Sequence, residues 1–150
     1  MLRIARLTDH AIVLLAHMTR HRLPCVHAAT SLAEATALPL PTVQKVLKML
    51  GAAGLVDSRR GAMGGYVLSR DPASVTLDGI IAAMEGPLAL TACASGQAEG
   101  CAEHAHCLVG DHWPVINDAV SSALRRVTLL DLSRPASHAS LRAALAASPA

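Results

Sequence analysis

The chain has 150 residues, of which 52% are hydrophobic, and this length suits one domain with its own core plus a short appended segment. It contains no Phe, one Tyr and one Trp, which argues against a protein that stacks unpaired bases on aromatic rings. The formal net charge of +2 permits DNA binding without demanding it, so any basic surface has to be local.

The N-terminal stretch carries arginines and an apolar run over 11–16, which is too short for a signal peptide and lacks a small-residue cleavage site. No other segment approaches the length of a membrane span. We therefore expect a cytoplasmic protein without a membrane partner, whose thiols stay reduced. In that compartment a cluster of cysteines is better explained by a metal site than by disulfides.

The first two predicted helices are short. Thr8 is expected to N-cap the first, with Asp9 in its first turn and an apolar face formed by Ile12, Leu15 and Met18. The second is expected to open with a capping box made by Ser31 and Glu34 and to run to Thr36.

The segment LPTVQKVLKML predicts a third helix with two different faces. Its apolar face has the spacing i, i+3, i+4, i+7 and consists of Val43, Val46, Leu47 and Leu50. The opposite face has the same spacing and consists of Pro41, Gln44, Lys45 and Lys48. A short helix, a tight turn and a helix with a basic face form a helix-turn-helix, whose second helix can enter the major groove. A solvated helix face with two lysines is the alternative.

A glycine-rich turn, DSRRGAMGG, follows the third helix and lies between two short predicted strands at 55–56 and 66–68. Such a hairpin beside a recognition helix is a wing. Arg59 and Arg60 at its tip could reach the adjacent minor groove, where arginine is attracted by the narrow negative channel. A phosphate-binding loop is excluded because no Gly-Lys-Ser/Thr ends the turn.

Thr76 is predicted to cap a fourth helix that runs to Glu85 with its apolar residues inward. Between Gly86 and Gly110 the chain then has little to bury, but it contains CASGQAEGCAEHAHC at 93–107. A bound metal would supply the free energy that orders such a loop. Three thiolates with one nitrogen or oxygen ligand suit either zinc or an iron–sulfur cluster, although zinc favours closely spaced cysteine pairs, which are missing here.

The segment after this loop predicts one long helix over 111–132. Its apolar stripe recurs every three or four residues and consists of Trp113, Ile116, Val120, Leu124 and Val127. The stripe could pack on its own domain, or it could form a two-fold dimer on a palindromic operator. A flexible tail is expected over 133–150.

Together these features resemble the Rrf2-type transcription regulators, a family that includes the IscR, NsrR and SufR types. The resemblance covers roughly residues 1–132 and rests on LTDHA in the first helix, the wing GLVDSRRGAMGGYVLS and the cysteine loop before a long helix. It implies a homodimer on double-stranded palindromic promoter DNA and an iron–sulfur cluster, [2Fe-2S] or [4Fe-4S], on each subunit. The cluster ligands it implies are Cys93, Cys101 and Cys107.

The fourth cluster ligand stays open, because Gly110 stands where some family members carry a histidine, and seven residues separate the first two cysteines. Some members use the acidic residue of LTDxA, which here is Asp9 of the partner subunit. His104, His106 and His112 are the alternatives. The predicted DNA-binding residues are Pro41, Thr42, Gln44, Lys45, Lys48, Arg59 and Arg60.

These predictions define a mainly α protein with a small β-hairpin. Residues 1–85 form a winged helix-turn-helix domain, 86–110 a cluster-binding loop and 111–132 a dimerisation helix. The expected function is a cluster-sensing repressor of genes for iron–sulfur assembly or for redox and nitric-oxide stress. A zinc-stabilised regulator without redox sensing is the alternative. An enzyme is not expected, since no nucleophile motif, cofactor loop or paired carboxylates are found.

Overall fold

The structure is a computed structural model, and it describes residues 3–20, 26–61, 63–95, 106–134, 142–143 and 145–146. It confirms the predicted fold class, because helices dominate and one antiparallel hairpin stands among them. The helices and strands are α1 Arg6–Arg20, α2 Ala29–Thr36, α3 Leu40–Ala52, β1 Val56–Arg59, β2 Gly65–Leu68, α4 Leu77–Glu85, α5 Trp113–Arg125 and α6 Leu129–Ser133.

Helix α1 begins at Arg6, so the prediction that Thr8 is its N-cap is wrong. Thr8 is fully buried inside the first turn, where its hydroxyl donates to Glu85 Oε1 at 2.5 Å. The same carboxylate oxygen accepts from the backbone N–H of Ala5 at 3.0 Å. A distant residue therefore supplies the hydrogen bonds at this helix start, which a local capping pattern cannot reveal.

Helix α2 begins at Ala29, so the capping box predicted at Ser31 is also wrong. Its N-cap is Ala28, and no side chain makes a capping hydrogen bond there. The predicted end at Thr36 is confirmed, and the next residue, Ala37, takes the left-handed conformation with φ of 55°. This turn leads directly into α3, which has Pro41 in its first turn as predicted.

The hydrophobic core lies where α1 packs against α3, α4 and α6. The four apolar residues predicted for α3 are all fully buried, and Leu15 and Met18 of α1 join them while Ile12 is half-buried. Thr76 caps α4 as predicted, since its hydroxyl accepts from the Gly79 N–H at 3.1 Å. Leu129 of α6 is fully buried in the same core. Helix α6 thus belongs to the winged-helix core, although the sequence placed it in a separate dimerisation element.

The single helix predicted over 111–132 is wrong, because α5 ends at Arg125 and α6 starts at Leu129. Between them the chain pairs with the segment that precedes α4: Leu77 N–H donates to the Val127 carbonyl and Leu129 N–H to the Val75 carbonyl, both at 2.8 Å. Thr128 and Asp131 then form a capping box that starts α6. The apolar spacing runs across this break without interruption, which explains the error.

The wing is a two-stranded hairpin in which Val56 pairs with Leu68 and Arg59 with Gly65. His27 extends this pairing, since its N–H donates to the Tyr66 carbonyl at 2.9 Å and its carbonyl accepts from the Tyr66 N–H at 2.8 Å. The hairpin is therefore held against the segment before α2. Within the described ranges, no helix is long and apolar enough to cross a membrane.

Candidate nucleic-acid interface and cysteine segment

Helix α3 separates a buried apolar face from an exposed polar face. Pro41, Gln44, Lys45 and Lys48 are exposed, whereas Thr42 is half-buried. The structure thus brings together the residues that the sequence predicted for a recognition surface. Its cations are suited to phosphates or guanine, and the amide of Gln44 to a base edge.

A groove lies between this face of α3 and the wing, and Gln44 and Lys48 line its helical side. Asp57, Ser58 and Tyr66 line the strand side. These three residues were missed by sequence reasoning, which took only the arginines from the hairpin. Ser58 and Tyr66 are cross-strand partners, so strand pairing would have placed them together.

The wing arginines lie at the end of the hairpin. Arg59 is the last residue of β1, Arg60 follows it, and both are exposed. Ion pairs among the described residues join Arg125 to Asp78 and Arg134 to Asp131, and neither pair involves a cation of the wing or of α3. The surface formed by α3 and the wing carries four cations and one carboxylate, Asp57. It therefore has a local positive excess despite the small net charge of the chain. The cations are Lys45, Lys48, Arg59 and Arg60.

Cys93 begins a 3-10 helix, Cys93–Ser95, and is half-buried. Its sulfur lies 3.1 Å from the hydroxyl oxygen of Thr91. Asn117, a buried residue of α5, fixes the chain before it by accepting from the Leu90 N–H at 3.1 Å and donating to the Leu88 carbonyl at 3.0 Å. Sequence reasoning missed Asn117, because one amide within an amphipathic helix gives no signal of its own.

The remaining predicted ligands are only partly within the described residues. Cys107 is an exposed free thiol, and Asp9, His106 and His112 are also exposed. Cys101 and His104 lie outside the described residues, and so does Cys25, which was not predicted as a ligand. In the part of the chain that the structure covers, no group of three or more His, Cys, Asp or Glu side chains could hold a metal ion. No three of the predicted ligands that the structure describes therefore lie together, and the complete ligand set stays a prediction.

The donor chemistry of this segment nevertheless fits an iron–sulfur cluster. Cys93 and Cys107 are free thiols, and thiolates are the ligands that such clusters require. Cys93 lies in a segment anchored to α5 by Asn117, which gives one end of a cluster site a fixed position.

A helix-turn-helix followed by a hairpin wing and a basic recognition face defines a DNA-binding protein of the winged-helix class. The model of the Rrf2 family, described as iron-dependent transcriptional regulators, matches residues 4–135. The chain belongs to this family. Proteins of this family are DNA-binding transcriptional regulators and not enzymes, which agrees with the sequence prediction, and they are typically dimeric.

Three known proteins illustrate the range of the family. The helix-turn-helix regulator NMA1593 of Neisseria meningitidis serogroup A is 35% identical over 100 residues, which are 67% of this chain and 66% of that protein. The match therefore spans slightly less than two thirds of that relative. The structure of T. potens IscR is similar with a TM-score of 0.68 and 25% identity, covering 92% of this chain and 90% of that one. CymR, the global cysteine regulator of B. subtilis, has a TM-score of 0.67 and 28% identity, covering 89% and 97%.

Proposed function

We propose that this protein is a homodimeric, cytoplasmic repressor that binds a palindromic promoter site and carries an iron–sulfur cluster, [2Fe-2S] or [4Fe-4S], on each subunit. The observation that carries the proposal is that one family domain combines an exposed recognition face on α3 with free thiols at both ends of the segment that joins α4 to α5. Genes for iron–sulfur assembly or for redox and nitric-oxide stress are the proposed targets. We retain 1–85, 86–110 and 111–132 as functional regions, although α6 packs in the winged-helix core.

The DNA-binding part of the proposal assigns different work to helix and wing. Helix α3 enters the major groove, where Gln44 pairs with a base edge and Lys45 and Lys48 bind phosphates or guanine. Pro41 and Thr42 lie in the first turn of this helix and are assigned to the DNA backbone. The wing places Arg59 and Arg60 at the neighbouring minor groove. The exposed positions of the long side chains agree with this division.

The sensing part assigns Cys93, Cys101 and Cys107 as cluster ligands. When bound, the cluster would supply a redox-sensitive group whose loss or oxidation changes the order of the segment. Asp9 of the partner subunit is the proposed fourth ligand, since it is exposed on the first turn of α1. A carboxylate is a hard ligand and binds such a site weakly, which makes this ligand exchangeable.

The likeness to the global cysteine regulator of B. subtilis supports a second candidate, a regulator linked to cysteine supply that binds no cluster. Zinc held by the same thiols is a further variant of the regulator without redox sensing. In both alternatives α3 and the wing bind DNA as proposed, and only the signal that the regulator responds to is different.

Anaerobic purification tests the sensing part. We expect a brown protein containing iron and acid-labile sulfide, which loses its colour when Cys93, Cys101 or Cys107 is replaced by alanine. Cys25→Ala is the matched control and should keep the colour. Zinc without sulfide would favour the zinc variant, and a metal-free protein with specific DNA binding would favour the second candidate.

The ligand variants Asp9→Ala, His104→Ala, His106→Ala and His112→Ala identify the fourth ligand. We expect Asp9→Ala to change the anaerobic absorption and circular dichroism spectra and to shorten the lifetime of the cluster in oxygen. An unchanged spectrum and lifetime, together with a loss in one histidine variant, would transfer the role to that histidine.

Salt-dependent binding to a promoter fragment tests the DNA-binding part. Lys45→Ala, Lys48→Ala and Arg60→Ala should each weaken binding. Any of them that removes only a phosphate contact should do so about equally for all sequences and reduce the salt slope by about one. Gln44→Ala should instead relax the base preference at one position of each half-site, by roughly 1–3 kcal/mol. An unchanged preferred site in Gln44→Ala would show that α3 does not read bases with this residue.

A further inference from the structure

The wing carries a large apolar side chain at its tip. Met63 is 89% exposed, and among the large hydrophobic residues that the structure describes only Leu108 exceeds it, at 94%. A single exposed hydrophobic residue on a protein surface needs no explanation. Met63 differs because it follows Arg59 and Arg60 in the turn that the proposed function places against the minor groove.

The backbone around Met63 is tightly constrained. The Gly64 N–H donates to the Gly61 carbonyl at 2.9 Å, which closes the turn. A Cβ at Gly64 would lie 2.5 Å from the Arg59 carbonyl oxygen, and a Cβ at Gly65 would lie 2.5 Å from the His27 carbonyl oxygen. The turn is therefore compact and joined to the body of the domain. It presents Met63 at the exposed tip of the wing.

We propose that Met63 is a minor-groove contact that selects A·T over G·C base pairs beneath the wing. This inference rests on the proposed function, because it needs the wing to lie on DNA. Methionine is unbranched and polarizable, so it can follow the floor and the sugar walls of a narrow groove. Apolar side chains, methionine among them, enter the minor groove in architectural proteins, where they act as wedges between base steps.

The chemistry of the groove floor gives the direction of the selection. A G·C pair adds the N2 amino group of guanine to the minor groove, whereas an A·T pair has only acceptors there. A thioether covering that amino group would leave a donor without a strong partner, and this costs free energy. Arg60 also favours A·T sequence, because its attraction follows groove width and negative potential, so substitutions of Met63 that leave Arg60 in place are needed to separate the two contributions.

Three DNA fragments test the proposal with the full-length protein. They differ only in the base pairs beneath the wing, which are A·T, G·C or inosine·cytosine. Inosine lacks the N2 amino group and otherwise presents the major-groove edge of guanine. We expect the wild type to bind the G·C fragment at least about 5-fold more weakly than the A·T fragment, the lower end of the usual effect of one base pair. Inosine·cytosine should restore most of this loss.

Two substitutions of Met63 distinguish an apolar contact with the groove floor from the presence of any side chain of similar size. Met63→Leu should keep the discrimination. Met63→Gln should reduce it, mainly by improving binding to the G·C fragment, because the amide oxygen can accept a hydrogen bond from the N2 amino group. Neither change should alter the salt slope, since neither adds nor removes a charge. Met63 is exposed, so both variants are expected to fold, and a circular dichroism spectrum checks this.

Arg60→Ala is the control that distinguishes failure of this inference from failure of the proposed function. If Arg60→Ala weakens binding and flattens the salt slope while Met63→Gln keeps full discrimination, the wing binds DNA but Met63 selects nothing, and the inference is overturned. If neither Arg60→Ala nor Met63→Gln changes binding, the wing does not touch DNA, and its part of the proposed function falls with the inference.

Discussion

Asp131 and Thr128 satisfy each other's hydrogen bonds at the start of α6. The Thr128 hydroxyl accepts from the Asp131 N–H at 3.2 Å, while the Asp131 carboxylate accepts from the Thr128 hydroxyl at 2.5 Å and from its N–H at 3.0 Å. The hydrogen bonds from Thr128 lower the pKa of Asp131 below its ordinary value of 3.8, and Arg134 adds a smaller effect in the same direction. Because α6 supplies Leu129 to the main core, this cap matters for the whole domain.

Removal of this cap gives a prediction with a pH dependence. Thr128→Ala should lower the free energy of unfolding by about 1 kcal/mol, the usual cost of losing an N-cap side chain. Asp131→Asn should cost about 0.5 kcal/mol near neutral pH, since it removes a charge that favours a helix N-terminus. A carboxyl group with a lowered folded-state pKa stabilises the fold above its unfolded pKa. Its contribution is lost as the pH falls below about 4 and through the folded pKa.

Urea unfolding of the wild type and of Asp131→Asn between pH 7 and pH 3 measures this effect. The difference in the free energy of unfolding between the two proteins should be constant near pH 7 and shrink as the pH falls below 3.8. A difference that grows toward low pH would contradict the assigned direction.

Single residues also show which features of the fold could be predicted from the sequence. The faces of α3 were predicted correctly because four buried positions recur with a helical period, and burial decides that pattern. The starts of α1 and α2 were predicted wrongly. Glu85 of another helix accepts the hydrogen bonds at the start of α1, and the N-cap of α2 is Ala28, which has no side-chain cap. Asn117 was missed because its partners are backbone groups 27 and 29 residues away in the sequence.

At the scale of elements, the wing depends on close backbone approach. Gly65→Ala would place a Cβ 2.5 Å from the His27 carbonyl oxygen and 2.9 Å from a methyl carbon of Val26. Backbone cannot move aside without loss of the bridge between His27 and Tyr66. We therefore expect Gly65→Ala to lower the free energy of unfolding by about 1–3 kcal/mol, as overpacking commonly does, and to weaken DNA binding through the wing.

Gly51→Ala is the matched control for this change. Its Cβ would meet the Val56 carbonyl oxygen at 3.7 Å, which is ordinary contact, and Gly51 lies in α3. Alanine in a helix is favoured over glycine by about 0.5–1 kcal/mol, so this variant should be stabilised or unchanged. Thermal unfolding and promoter binding of both variants test whether Gly65→Ala is destabilised while Gly51→Ala is not. Equal stability of the two variants would show that the wing tolerates displacement from His27.

The boundary between α5 and α6 shows a limit of periodicity. Residues 124 and 127 fit the apolar stripe, yet the chain leaves the helix between them to pair with the strand-like segment before α4. The sequence did contain the signal for this break, since Thr128 and Asp131 have capping-box spacing. An unbroken apolar period concealed it. Cys101 lies outside the described residues, so the ligand set of the cysteine segment stays a prediction.

At the scale of the whole molecule, Glu85 joins the two halves of the proposed mechanism. It is the last residue of α4, directly before the segment that carries the thiols, and its carboxylate bonds Ala5 and Thr8 at the start of α1. The first turn of α1 also carries Asp9. A change in the order of the thiol segment would thus reach α1 through a hydrogen-bonded contact. Helix α1 packs on the recognition helix α3, which completes a contiguous route to DNA.

The dimer proposed for this regulator requires an apolar surface that the single chain leaves uncovered. Helix α5 provides one, since Val115 is 71% exposed and Ile116 44% exposed, while Trp113, Val120 and Leu124 are half-buried. Its buried residues are the polar Asn117 and Ser121, and the half-buried apolar residues beside them leave part of their surface free for a partner. In a two-fold interface both subunits use the same surface patch, so the stripe of one subunit packs against the stripe of its partner.

Ile116→Glu therefore should separate the subunits, because it places a carboxylate from each into an apolar contact. We expect a folded monomer by sedimentation, and operator binding weaker by about 100-fold or more, since the two half-sites are then bound independently. Val13→Glu, at a position of α1 that is 40% exposed, is matched to Ile116 in exposure and should remain a dimer. If Ile116→Glu keeps the mass of the wild type, α5 is not the interface. If Val13→Glu alone becomes a monomer, the interface lies on α1 instead.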